Sequence, residues 1–179
     1  IHGGFVLTVR RDECEALDAL HQRFAMNTRS AEPYVVYRII DALTDTFFPV
    51  LDHVNDRIDE LEDAILTSPG ETQLHLLFSL KRQLVDLRKI VTPQRDLMAS
   101  ATDRISDIPG LDDGNRDYFR DVYDHMIRIS DLIDTYRDLL SGAMDVYLST
   151  IANRQNDVMK QVSLIATIFL PLTFLTGFF

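Results

Sequence analysis

The sequence predicts a mainly α-helical chain. A helical hairpin packs beside one very long helix, that helix continues into a membrane-spanning segment, and a short remnant of an α/β domain comes first. Three observations predict this. Apolar residues recur every three or four positions from residue 34 onward, the period of a helix with one buried face. No proline falls between Pro109 and Pro171, so that stretch holds no residue that must stop a helix. From Val162 to Phe179 there is no ionisable side chain, and about 18 such residues are enough to cross a bilayer.

Taken in order, the first element is a β-branched run, FVLTV, after a glycine pair in residues 1–10, which reads as a strand whose sheet partners lie upstream. DECEALDALHQRFAMN then places Leu17, Leu20 and Phe24 on one helical face. Asn27 to Pro33 is a break, with Ser30 as the N-cap of the next helix. Residues 34–66 read as one long helix with Val36, Ile39, Ile40, Leu43, Phe47, Val50, Leu51, Val54, Ile58, Leu61 and Ile65 on its face, kinked at Pro49. After the turn Thr67-Ser68-Pro69-Gly70, a second helix runs over about residues 71–98, with Leu77, Leu80, Leu84, Leu87 and Val91 inward. So short a connection makes the two an antiparallel hairpin. Asp107-Ile108-Pro109-Gly110 forms the next turn. Beyond it Phe119, Val122, Met126, Ile129, Ile133, Tyr136, Leu140, Ala143, Tyr147 and Ile151 recur at close to 3.5 residues, the signature of a long seam. A helix from about residue 114 to residue 179 would be roughly 100 Å long, which suits a stalk better than a compact domain.

The chain carries 28 Asp plus Glu against 18 Lys plus Arg, a formal charge of −10. That balance excludes a nucleic-acid binder, which needs a basic face for phosphates, and an anionic membrane surface as an electrostatic partner. It suits a cationic partner, or simply an acidic solvated surface. A single cysteine, Cys14, excludes an internal disulfide and fits a reducing compartment. The chain reads as part of a longer protein: a cytoplasmic body, residues 1–161, leading into a membrane.

Catalytic signatures are absent. The five histidines show no HExxH or HxxxH spacing and read as surface or packing residues. There is no GxxxxGK[ST] or GxGxxG, and no Glu after Glu71, which removes the ExxH pairs of a carboxylate dimetal bundle. The chain is not read as an enzyme. The acidic run Asp52, Asp56, Asp59, Glu60, Glu62, Asp63 is a solvated face or a weak, delocalised cation attractor. In the apolar segment, Asn156, Met159, Ser163, Ala166, Leu170, Thr173 and Gly177 form a stripe of small and polar residues on one side. In a lone anchor such a stripe packs helices, and in a ring of helices it would line an axial path for a hydrated cation. Spacing leaves the two readings open. Pro171 frees the carbonyl of Thr167 from its helical donor.

YFRDVYDH (118–125), YRDLLSGAMDVYLSTIANRQNDVMK (136–160) and IATIFLPLTFLTGFF (165–179) resemble the stalk and first membrane helix of CorA-type magnesium/cobalt transporters. IIDALTD (39–45) and LKRQLVDLRKIV (80–91) resemble that family's hairpin helices. The resemblance covers the chain from about residue 34 and implies an organisation: 1–29, the end of a cytoplasmic α/β domain; 30–110, a helical hairpin; 111–161, the stalk; and 162–179, the start of the first membrane helix. In the family a Gly-Met-Asn tripeptide comes after this helix. The resemblance further implies a homopentamer in the bacterial inner membrane, in contact with lipid. Mg²⁺, and with it Co²⁺, would be both the transported and the regulatory ion, with no organic cofactor. Pore positions fall on Asn156, Met159, Val162, Ala166, Leu170, Thr173 and Gly177. Of these, Met159, Val162 and Leu170 would be apolar constrictions that gate by dewetting, Leu170 standing where a Met often occurs. Regulatory ligands between subunits fall on Asp41 and Asp121, with a further acid from the upstream domain. Two alternatives share these features: a zinc-transporting relative of the same fold, and a non-conducting membrane-anchored helical scaffold.

Overall fold

A computed structural model describes residues 6–25, 31–108 and 110–178. Among them the secondary structure is helical throughout, with no strand. The described part of the expected strand, residues 6–9, forms neither helix nor strand, and no partner strand exists among the described residues to pair with it. Phe5 and the expected N-cap Ser30 lie outside the described residues.

The first helix, α1 (Glu15–Ala25), buries Leu20, while Leu17 and Phe24 are half-buried. The chain entering it is held by Arg10, which donates to the Cys14 carbonyl at 3.1 Å and pairs with Asp18 at 2.6 Å. Helix α2 (Glu32–Asp45) starts with proline in its first turn, where a missing N–H costs nothing. The single kinked helix expected over 34–66 is two helices, α2 and α3 (Phe47–Thr67), parted at Thr46. Pro49 explains the position of the break, because its ring excludes the helical carbonyl four residues earlier, that of Asp45, and it offers no N–H to it. The α2 face also differs from the apolar pattern. Leu43 is exposed and the buried positions are Asp41 and Thr44, while Val50 at the start of α3 faces solvent.

Helix α4 (Glu71–Asp103) runs past the expected end near Met98 and carries Pro93 in its interior. Two short 3-10 turns, Ile105–Asp107 and Asp113–Asn115, then lead into α5, with Gly110 at φ 85° between them, where a side chain would be strained. Asp112 and Asn115 cap the second turn reciprocally. Helix α5 (Arg116–Phe178) has 63 residues and is about 95 Å long.

Helices α3, α4 and α5 share one core. Leu51, Val54, Ile58, Leu61 and Ile65 of α3 meet Leu77, Leu80, Leu84 and Val91 of α4 along the α5 stripe from Met126 to Tyr147. Cross-links set the directions. Lys81 reaches Ser141 at 3.4 Å and Arg88 pairs with Asp134 at 2.8 Å, so α4 runs antiparallel to α5. Arg154 donates to the carbonyl of Thr67 at 2.9 Å, so α3 runs with α5 and the hairpin tip sits at the foot of the apolar segment. A second cluster of Ile105, Leu111 and Phe119 with Val36, Ile40 and Met98 closes the far end of the bundle. From Ala152 to Gly177 every residue of α5 is exposed, and this is the one described helix long and apolar enough to cross a membrane.

Candidate metal centre

The buried polar face of α2 meets α5 one to three turns from the stalk's start. Asp41 is buried, with 4% exposure, and Asp121 and His125 come from α5 at i, i+4 spacing, which puts both on one helix face. One potential ligand atom from each of the three lies within 4.8 Å of the others. The outer oxygens are already held. Tyr37 donates its hydroxyl to Asp121 Oδ2 at 2.8 Å, and Arg38 donates to Asp41 Oδ2 at 2.5 Å. The inner atoms are not: Asp41 Oδ1 and His125 Nδ1 are buried without a hydrogen-bond partner. They face each other at 3.4 Å, and Asp45 Oδ1 is 3.5 Å from the same His125 nitrogen.

The electrostatics reflect this crowding. Burial first, then the Asp45 charge, push the Asp41 carboxyl above its usual range, while Arg38 and His125 draw it down and Asp121 adds to the rise. Burial, and the hydrogen bond to Asp121, push the Tyr37 hydroxyl up to about 12, so it stays a donor. Tyr37 is braced by a stacked contact with Tyr118, ring centroids 4.9 Å apart. His125 is braced edge-on by Phe48 at 6.0 Å. A buried carboxylate oxygen left unpaired costs stability, and a divalent cation, a water or an N–H donated by His125 would each satisfy it. The spacing accommodates one ion held partly by carboxylates and partly through water, as Mg²⁺ prefers. The imidazole nitrogen extends the fit to Co²⁺ and Zn²⁺.

Of the residues singled out from the sequence, Asp41 and Asp121 are therefore brought together. Tyr37, Arg38, Asp45 and His125 were not singled out. The one available signal was the Asp121/His125 spacing of four, because the α2 partners depend on how two distant helices pack. The second set, Asn156, Met159, Val162, Ala166, Leu170, Thr173 and Gly177, lies along the exposed end of α5. Thr173 donates its hydroxyl to the Phe169 carbonyl at 2.8 Å, which turns its oxygen lone pairs outward. A methyl at Gly177 would meet nothing within 4 Å in the lone chain. These residues lie from about 50 Å (Asn156) to about 85 Å (Gly177) along the helix from Asp121 and do not form one site with it.

A family model described as CorA-like Mg2+ transporter protein matches residues 1–179. The chain belongs to that family, one of transporters rather than enzymes. It is 41% identical over 170 residues to the cobalt/magnesium transport protein CorA of Thermotoga maritima, an alignment covering 92% of this chain and 48% of that protein. It is 32% identical over 144 residues to the zinc transport protein ZntB of Yersinia enterocolitica, covering 79% and 42% respectively. In three dimensions it resembles the complete CorA magnesium transporter of Methanocaldococcus jannaschii with a TM-score of 0.79 at 24% identity, over 93% of this chain and 53% of that one. The chain spans about half the length of the curated relatives it matches.

Proposed function

We propose that the full-length protein conducts divalent cations, Mg²⁺ and with it Co²⁺, through a homopentameric membrane channel whose opening is set by cytoplasmic Mg²⁺. Membership in a transporter family supports the class of activity. The observation that carries the gating reading is the continuity of α5, a single helix holding Asp121 and His125 near one end and the Asn156–Gly177 stripe at the other. In this reading Asp41 and Asp121 hold the regulatory ion at a subunit boundary, joined by His125. A further acid from the upstream domain of the neighbouring subunit completes the site in this reading. Without the ion that acid and the Asp41/Asp121 pair repel across the boundary and the subunits part, and with it the ring closes. The stripe Asn156, Met159, Val162, Ala166, Leu170, Thr173 and Gly177 lines the path, polar oxygens touching the ion's water shell and apolar rings closing it. The test is Mg²⁺ uptake by proteoliposomes carrying the full-length chain, with Mg²⁺ varied on the side facing residues 1–161. Flux that falls as that Mg²⁺ rises, and ignores it after Asp41→Ala with Asp121→Ala, is expected. Flux indifferent to Mg²⁺ in the parent protein would overturn the gating account.

A second reading has its own support in the ZntB relative and in the nitrogen ligand His125, which favours borderline metals over Mg²⁺. Zn²⁺ uptake without Mg²⁺ uptake in the same vesicles would replace the first reading with this one.

A further inference from the structure

The α2–α5 site contains its own cation. Arg38 reaches Asp41 Oδ2 from the previous turn of α2, and its side chain is only 26% exposed while that of Asp41 is 5% exposed. Three carboxylates, Asp41, Asp45 and Asp121, gather around His125. Among the described residues Arg38 is the one guanidinium paired with any of them, through Asp41, while Arg23 of α1 shares a cleft with Arg38 and Asp45 without an ion pair to any of these acids. The acids outnumber the paired cation, so the site is net negative and attracts a dication, and Arg38 is the positive charge held nearest to its inner oxygens. Arg38 also holds the outer oxygen of Asp41, so the unpaired Oδ1 is the one turned toward His125. Its guanidinium lies over Tyr37 at 5.9 Å, and Tyr37 in turn holds Asp121. Consecutive residues of α2 thus orient one carboxylate each, but only Arg38 does so with charge.

We propose that Arg38 is a tethered counter-ion that sets the affinity of this site for divalent cations. It weakens binding by its charge while aiming the Asp41 carboxylate. The inference rests on the reading of Asp41 and Asp121 as ion ligands and adds a residue that tunes them. It has a functional consequence: a regulatory site must release its ion when the ion becomes scarce, and a site of three uncompensated carboxylates would hold it too long. A unit charge about 5 Å from a dication, even at water-like dielectric, changes its affinity about tenfold.

The experiment is calorimetric titration of MgCl₂ into the purified full-length protein at fixed ionic strength, for the parent chain, Arg38→Gln, Arg38→Lys and Asp121→Asn. Helical circular dichroism on each sample confirms folding. Arg38→Gln keeps a donor for Asp41 and removes the charge, so about tenfold tighter binding is expected. Arg38→Lys keeps the charge and should stay within about twofold of the parent. The titration reads binding alone, so the result does not depend on flux. Arg38→Gln binding with unchanged or weaker affinity, while Asp121→Asn abolishes the same transition, would overturn the counter-ion role and leave the site intact. A transition that Asp121→Asn does not alter would overturn the site itself, and the role of Arg38 with it. If Arg38→Gln fails to fold, Arg38→Met, uncharged and of similar length but offering Asp41 no donor, is titrated instead; tighter binding than the parent is still expected, and affinity at or below the parent's would overturn the counter-ion role.

Discussion

Asp41 sits in a helix interior, buried, beside two other acids, with one oxygen paired and one not. Burial and Asp45 raise its proton affinity in the folded chain, so the ionised form is less at home folded than unfolded. Stability from such a group is present below its ordinary value and lost as pH rises through the raised one. At neutral pH the ion-free site is therefore a cost, and Asp41→Asn should relieve it. In chelator the variant is expected to melt no lower than the parent, and on adding Mg²⁺ only the parent should rise in melting temperature. A clearly lower melting temperature in chelator would mean that the Arg38 pairing outweighs the burial. Sequence alone could not supply this pocket. Asp41 and Asp121 were legible only through resemblance to known hairpin and stalk segments. His125 was read as a packing histidine, because its spacing of four from Asp121 is the same whether it packs or ligates. What makes it a candidate ligand is the approach of α2, held by the Tyr37–Asp121 hydrogen bond, the Tyr37–Tyr118 stack and the packing of Val36 and Ile40 on Phe119, contacts between segments about 80 residues apart in the chain.

Elements were more legible than residues, because apolar period reports burial directly. The expected α5 seam is the observed one: Phe119, Val122, Met126, Ile129, Ile133, Tyr136, Leu140, Ala143 and Tyr147 are all buried, and Ile151 is half-buried at its end. On α2 the same rule failed at Leu43, because the helix is rotated so that Asp41 and Thr44, not Leu43, face α5 and the rest of the bundle. The seam makes a direct prediction. Ile133→Ala, at 0% exposure, should cost about 2–5 kcal/mol through lost contacts and a cavity, whereas Leu148→Ala, at 57%, should change stability by less than about 0.5 kcal/mol. Denaturation of the two variants side by side checks it, and equal losses would mean that the stripe is not the core. The hairpin tip makes another. Arg154 ties α5 to the tip, satisfying a carbonyl at the C-terminal end of α3, where positive charge is favoured. Because the pair is exposed, Arg154→Ala should cost under about 1 kcal/mol overall. Amide exchange at the tip, including the Ser68 N–H that bonds Ala64, should nevertheless speed up while the core near Ile58 is unchanged. Uniform exchange along α3 in the variant would show that the tip is held by the core alone.

Across the whole molecule, the question is what connects the carboxylate site to the apolar segment that begins about 60 Å away. Two routes exist. One is the α5 backbone, a continuous helix from Arg116 past Pro171. The other is the hairpin, which meets α5 at Asp41 through α2, runs beside it as α3, and ties back at Arg154. A rod transmits a tilt only while it is stiff, so a single helix breaker between the site and the stripe tests the first route. Ser149 is exposed, on the side of α5 away from the core. Ser149→Pro would strip one ladder bond and bend the helix at a cost of about 3 kcal/mol, while Ser149→Ala leaves it intact. In the proposed channel Ser149→Pro should still bind Mg²⁺ at the Asp41/Asp121 site by calorimetry, yet conduct in vesicles without shutting off as Mg²⁺ rises. Ser149→Ala should behave as the parent on both counts. If Ser149→Pro still shuts off, the signal travels through the hairpin, and adding Arg154→Ala should then abolish control. If the double variant also shuts off normally, neither route carries the coupling and the continuity of α5 is structural only.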